Sequence, residues 1–170
     1  GRQCAIEAMR KLGLPSPAQP ARGAHGEPLW PRGITGSISH HSGLAVAVAT
    51  RAPLLGIGID VERWVEAGTA EKIFPTVLPH GEHKEKPSWL TFPAFLTAVY
   101  SAKESLFKAV FPRIGRYVDF SAARYAGFSG MATMWLSLRQ TLNESLVKGM
   151  LIPTRIVWRA NDVETLVILE

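Results

Sequence analysis

The 170-residue sequence predicts an α+β fold of two pseudo-symmetric lobes, each a helix packed on a small, mostly antiparallel sheet. Three observations predict it. Amphipathic helical periodicity occurs twice, over Arg2–Leu12 and around Val99–Val110. Each helix is accompanied by short alternating segments bounded by Gly and Pro, the pattern of strands and turns. The order of elements also repeats: helix and three strands, a connection, then helix and three or four strands. This places an N-terminal lobe at residues 1–64, a connecting segment at 65–93 and a C-terminal lobe at 94–170. The halves share element order and no detectable identity. A ligand site is expected between them, because inter-lobe clefts commonly hold ligands. With both lobes in one chain, a monomer suffices.

The first helix carries Ala5, Met9 and Leu12 at helical spacing, with Gly13 as its C-terminal cap. Arg2 sits in the first turn, where the helix dipole disfavours a cation; it is either a flexible terminal arginine or a residue with a task. Residues 14–33 hold five of the twelve prolines and read as a surface loop anchored by Trp30. Ile34–His40 and Leu44–Thr50 read as strands joined by a tight turn in which His41 takes part. Ser37, Ser39 and His40 do not make a hydrolase: there is no nucleophile elbow, and neighbours on a strand face opposite ways.

Leu55–Glu62 alternates Ile57, Ile59 and Val61 with Gly58, Asp60 and Glu62, a strand with one buried face and two carboxylates on the other. Side-by-side carboxylates repel unless a cation lies between them, and their oxygens suit Mg²⁺. The alternative is an exposed strand end with two surface acids. Arg63–Pro93 has no clean period and is expected to connect the halves with short helical pieces at most. His80 and His83 have a metal-like spacing, but no further ligands support zinc. In the second helix Glu104 and Lys108 are four apart and share a face, with Lys103 beside it, either as a solvated ion pair or as part of a site. Pro112 is expected to end that helix. Further strands are expected at Tyr117–Tyr125, Thr133–Leu138, Leu151–Trp158 and Thr165–Leu169.

Apolar content of 46% with 19% charged residues is ordinary for a folded domain, and no apolar run approaches the ~20 residues of a membrane span. The opening residues carry no signal peptide pattern. The single cysteine, Cys4, excludes an internal disulfide and suits a reducing, cytoplasmic setting. A net charge of +5 favours anionic partners, but the basic residues form no run, which argues against nucleic acid. A phosphate-rich small molecule and an acidic protein fit better.

Four motifs occur in order: Gly1-Arg2 with Ala5, Met9 and Leu12-Gly13; Pro28 with Trp30-Pro31, Gly33-Ile34 and Gly36–His40; Gly56–Glu62; and Tyr100–Pro112. Together they resemble the 4'-phosphopantetheinyl transferases, most closely the subgroup serving siderophore and nonribosomal peptide synthetases. The resemblance covers residues 1 to about 121. It implies transfer of 4'-phosphopantetheine from coenzyme A to a serine of an apo acyl- or peptidyl-carrier protein, with Mg²⁺ and release of 3',5'-ADP. It implies Asp60, Glu62 and Glu104 as metal ligands, Glu104 also as base, and Lys108 on the leaving phosphate. Arg2, Ser39, His40 and Lys103 would contact coenzyme A. Phe74, Trp89 and Phe92 lie where the family meets its carrier, and are equally suited to anchoring the core. Where relatives often carry a basic residue before the Trp30 element, this chain has Gly26-Glu27, with Arg22 and His25 nearby. Members usually carry a further N-terminal segment, so the chain is expected to be a fragment. A catalytically inactive coenzyme A- or carrier-binding paralogue, or a metal-dependent phosphohydrolase, would share these residues.

Overall fold

The computed structural model describes Gly1–Glu170. Its principal layer is a five-stranded antiparallel sheet in the order β5-β9-β8-β7-β6, formed by β5 (Gly56–Arg63), β6 (Ala123–Ser129), β7 (Thr133–Leu138), β8 (Leu151–Trp158) and β9 (Asp162–Leu169). Strict alternation in β7, β8 and β9 sends Met134, Leu136, Ile152, Ile156, Val163 and Val167 into the core and their neighbours outward. Helix α3 (Phe92–Ile114) lies across the inner face, with α2 (Ala67–Val77) packed on it. β9 starts three residues before the expected strand, at Asp162, and β6 starts six residues after the expected Tyr117, at Ala123, where a short 3-10 turn, Phe120–Ala122, precedes it.

α3 begins at Thr91, whose hydroxyl accepts from the Ala94 N–H, and Pro93 sits in the first turn, where its missing N–H costs nothing. Pro112 does not end it. The helix continues to Ile114 and stops at Gly115, left-handed at φ 61°, whose N–H bonds Phe111 O. In the last turn a proline forfeits one hydrogen bond, and the left-handed glycine is the stronger terminator.

Two β5 glycines bring α3 against the sheet. A Cβ on Gly58 would lie 1.9 Å from Ser105 O, and one on Gly56 2.0 Å from Ala109 O, so the helix backbone rests on bare strand. The expectation of one buried face on β5 is therefore corrected: both faces are covered. Its aliphatic face, Ile57, Ile59 and Val61, is buried beneath the antiparallel hairpin of β3 (Thr35–His41) and β4 (Leu44–Thr50). Helix α1 (Arg2–Lys11) packs on β4 and closes with the Gly13 N–H on Arg10 O and the Leu14 N–H on Met9 O.

The architecture is α+β with helices laid on antiparallel sheets. β5, counted with the N-terminal half in the sequence, pairs with β9 along all of its length, from Gly56↔Leu169 to Arg63↔Asp162. The connection also holds more than short pieces. α2 spans 11 residues despite Gly68 and Pro75, because Ala70 and Val77 are buried and Ile73 and Phe74 pack on the core. A two-residue pairing of β1 (Ala21–Arg22) with β2 (Pro28–Leu29) orders the proline-rich loop. Trp30 then covers Gly36 of β3, where a Cβ would meet its ring at 2.6 Å.

Candidate active site

Three elements converge where α3 crosses β5 and β3. β5 supplies Asp60, β3 supplies Ser39 and α3 supplies Lys108. The Lys108 ammonium donates to Asp60 Oδ1 at 2.6 Å, to Ser39 Oγ at 3.1 Å and to Ile59 O at 3.3 Å. Ser39 in turn donates to Asp60 Oδ1 at 2.8 Å. Asp60 is only 2% exposed, and its other oxygen, Oδ2, is buried without a partner. An unsatisfied carboxylate oxygen in such a place is costly, which marks it as a position for an incoming cation or donor.

Glu62 and Glu104 surround that oxygen electrostatically. Burial and then the neighbouring Asp60 push the Glu62 carboxyl up to about 7, against the pull of Lys108. Burial followed by Asp60 also raises Glu104, again opposed by Lys108. Of the expected metal set, Asp60 raises both Glu62 and Glu104 and Glu104 adds to Glu62, but no group of three His, Cys, Asp or Glu side chains is placed so that it could hold a metal ion. Lys108 supplies the positive charge in this arrangement. The orphaned Asp60 oxygen and two carboxyls crowded above their ordinary range fit a divalent oxygen-seeking ion.

Tyr100 was not singled out in the sequence. It lies one turn before Glu104, so Tyr100, Glu104 and Lys108 form one stripe on α3, a 4-residue spacing that was there to be read. Burial, then Glu104, Glu62 and Asp60, hold its phenol above the usual range, and it stays a neutral donor.

Lys103 is corrected. Expected on the same side as a phosphate contact, it is fully buried on another face of α3, paired with Glu82 and bonded to the carbonyls of Val77 and Phe120. Ser39 and His40 also part company. Ser39 faces Asp60, whereas His40 is exposed beside Gly1, on the other side of β3, and lines a polar depression with Arg2 and Gln19. Arg2 donates there to Pro20 O at 3.1 Å. His41 is not a turn residue; it ends β3, and its Nε2 lies 2.7 Å from Asp162 Oδ1 of β9. The hairpin turn is Ser42-Gly43. Of the three candidate docking aromatics, Phe74 and Phe92 pack edge to face at 5.8 Å against the core, and Trp89 is half exposed against Phe128 and Trp158.

Two cavities flank the acidic cluster. One, of about 720 Å³, runs between the 25–38 segment and the end of α3, with His25, Trp30, Lys108 and Phe111 in its walls. It shares Gly26, Pro28 and Ile38 with the Arg2–His40 depression, so the two form one groove. The other, of about 590 Å³, opens beside Glu62 and Tyr100, with apolar walls from Val65, Val77, Leu96 and Phe120.

Two family models cover the chain. The 4'-phosphopantetheinyl transferase N-terminal domain matches residues 1–50, and the 4'-phosphopantetheinyl transferase superfamily matches residues 56–148. The chain belongs to the 4'-phosphopantetheinyl transferase superfamily. Enterobactin synthase component D of Salmonella typhimurium is 39% identical over 115 residues, 67% of this chain and 47% of that protein. Its counterpart in Escherichia coli K12 is 39% identical over 110 residues, covering 64% and 51%. The 4'-phosphopantetheinyl transferase PptT of Mycobacterium tuberculosis is 34% identical over 147 residues, covering 79% and 58%. The chain spans about half the length of the curated relatives it matches. The family boundary between residues 50 and 56 falls just ahead of β5, consistent with that strand belonging to the larger sheet. No helix of this phosphopantetheinyl transferase-family chain is long and apolar enough to cross a membrane.

Proposed function

We propose that the chain transfers 4'-phosphopantetheine from coenzyme A to a serine hydroxyl of an apo carrier protein of nonribosomal peptide or siderophore assembly. The observation that carries this reading is the Asp60–Ser39–Lys108 cluster, with one buried carboxylate oxygen free, whose Lys108 lines one cavity while neighbouring Glu62 lines the other. Coenzyme A has a highly anionic nucleotide end and a slender, largely uncharged arm. The groove bearing Arg2, His40 and Lys108 suits the first, and the apolar cavity beside Glu62 and Tyr100 suits the second. The pyrophosphate linking them would then lie over the acids. Enterobactin synthase component D and PptT as relatives support the same chemistry.

Asp60, Glu62 and Glu104 would hold Mg²⁺, which supplies charge neutralisation at the pyrophosphate and lets three carboxylates tolerate an anion. The serine oxygen attacks the phosphorus nearer the arm, and the bond to the bridging oxygen breaks, releasing 3',5'-ADP. Glu104, on the α3 stripe with Lys108 and with its carboxyl raised by burial and then Asp60, takes the serine proton. Lys108 stabilises the departing phosphate. Ser39 keeps the Lys108 ammonium and Asp60 aligned from the far side.

Incubation with coenzyme A, Mg²⁺ and an apo carrier, read by mass spectrometry, tests the proposal. The carrier is expected to gain one phosphopantetheine. Binding of coenzyme A without that gain would identify an inactive binding module, and coenzyme A cleavage without acceptor a phosphohydrolase; either result removes the transferase reading.

A further inference from the structure

Lys103 is withdrawn from the transfer chemistry, yet no charge in the molecule is more enclosed. Its side chain and that of Glu82 are both 0% exposed, with Nζ 3.0 Å from Glu82 Oε1. The same ammonium donates to Val77 O at 2.7 Å and to Phe120 O at 3.1 Å. Val77 is the last residue of α2, and Phe120 opens the 3-10 turn after α3. Both residues line the 590 Å³ cavity beside Glu62. One cation behind the cavity therefore ties two of its walls, which come from different elements.

Glu82 completes the tie. Its Oε2 accepts from the His80 N–H at 2.9 Å, and its Oε1 accepts from the Tyr125 N–H at 3.3 Å. His80 then reaches across to donate from Nε2 to Ser121 O at 2.8 Å, a second link between the segment after α2 and the 120–122 turn. Burial pushes Glu82 up, but the charge and hydrogen bond of Lys103 prevail and hold it below the usual carboxylate range. Burial lowers Lys103 against the opposing pull of Glu82. Three oxygen acceptors face that nitrogen, which is the setting of an ammonium rather than an amine.

We propose that the Lys103–Glu82 pair is a positioning device that sets the spacing between the α2 wall and the Phe120 wall of this cavity, and so the fit of the donor's arm. This rests on the reading that the cavity receives the arm of coenzyme A. Lys103 is a positioning residue and touches no reacting atom. Simple stabilisation does not explain the choice, since apolar groups of similar volume replace buried ion pairs with little loss of stability. Apolar groups cannot hold two carbonyls at a fixed separation.

The test uses Glu82→Gln, which keeps the shape of the side chain, and Lys103→Met, in the full chain. In ligand-free protein, amide exchange at Leu78 and Ala122 is expected to quicken ~10-fold or more in Glu82→Gln, while amides of β7 and β8 keep their wild-type rates. The dissociation constant for coenzyme A is expected to rise ~10-fold, as misplacement of a positioning group does, with that for 3',5'-ADP changed less than about 2-fold. Unaltered exchange at both walls, or parallel weakening of the two ligands, overturns the proposal. If neither variant folds, His80→Ala, which cuts only the outer link, decides by the same two readouts. Wild-type protein that binds no coenzyme A would sink the transferase reading instead, and the exchange measurement would still judge the device.

Discussion

Asp60 has one oxygen accepting from both Lys108 and Ser39, and another that accepts from nothing. Burial, and then the neighbouring Asp60, make Glu62 and Glu104 expensive as anions in the ligand-free protein. For Glu62, raised to about 7 from 4.5, the folded state holds its proton more tightly than the unfolded chain. Its contribution to stability is therefore present below about 4.5 and is lost as pH climbs through about 7. Urea unfolding should show wild-type midpoints falling between pH 5 and pH 8, a fall that Glu62→Gln flattens and added Mg²⁺ offsets at the upper end. Glu104→Gln is expected to lower transfer by ~10²–10⁴-fold while leaving the unfolding midpoint unchanged or higher; near-normal turnover would remove Glu104 as the base. Lys103 and Lys108 show what a single sequence withholds at this scale. Both belong to one motif on one helix, five residues apart, which turns them about 140° from each other. Which of the two is buried in the core depends on Glu82, 21 positions upstream of Lys103 in a segment without period, and on the strand beneath Lys108.

At the scale of elements, alternation and spacing were legible where one face meets the core and the other meets solvent. β7 and β8 ran over the residues expected of them, and the α3 stripe of Glu104 and Lys108 did face β5. The reading faltered where packing overrode local signals. α2 forms around a glycine and a proline because it has α3 to lean on, and Pro112 passes within a helix that Gly115 ends. The glycines of β5 carried information of a different kind, a demand for bare backbone. Gly58→Ala is expected to cost more than the ~1–3 kcal/mol of ordinary overpacking, because its Cβ would meet helix backbone that cannot rotate away. Gly68→Ala, in α2 with nothing within 4 Å of the new carbon, is expected to stabilise by about 0.5–1 kcal/mol. Chemical denaturation of the two variants side by side distinguishes a packing glycine from an idle one; equal effects would contradict the contact.

At the scale of the molecule, a net charge of +5 and a groove with Arg2, His40 and Lys108 along it favour an anionic ligand. Coenzyme A affinity measured by calorimetry is expected to fall as NaCl rises, because exposed charges are screened over a Debye length of ~8–10 Å. Loss should be steeper for the nucleotide end, and 3',5'-ADP is the ligand that reports it. An affinity indifferent to salt would place binding in the apolar cavity alone. The acids themselves were foreseen as neighbours, but their support was not: β5 was grouped with the strands just before it, and chain order gives no hint that its hydrogen-bonding neighbour is β9.

That pairing has a temporal consequence. Gly56 meets Leu169 and Arg63 meets Asp162, so the strand bearing Asp60 and Glu62 waits for about a hundred residues of synthesis before β9 can pair with it. Loop closure over such separations is slow. A nascent chain stalled before residue 162 would carry both acids on an unzipped ribbon, open to proteases, and the acidic cluster would gain its sheet support only once β9 is made.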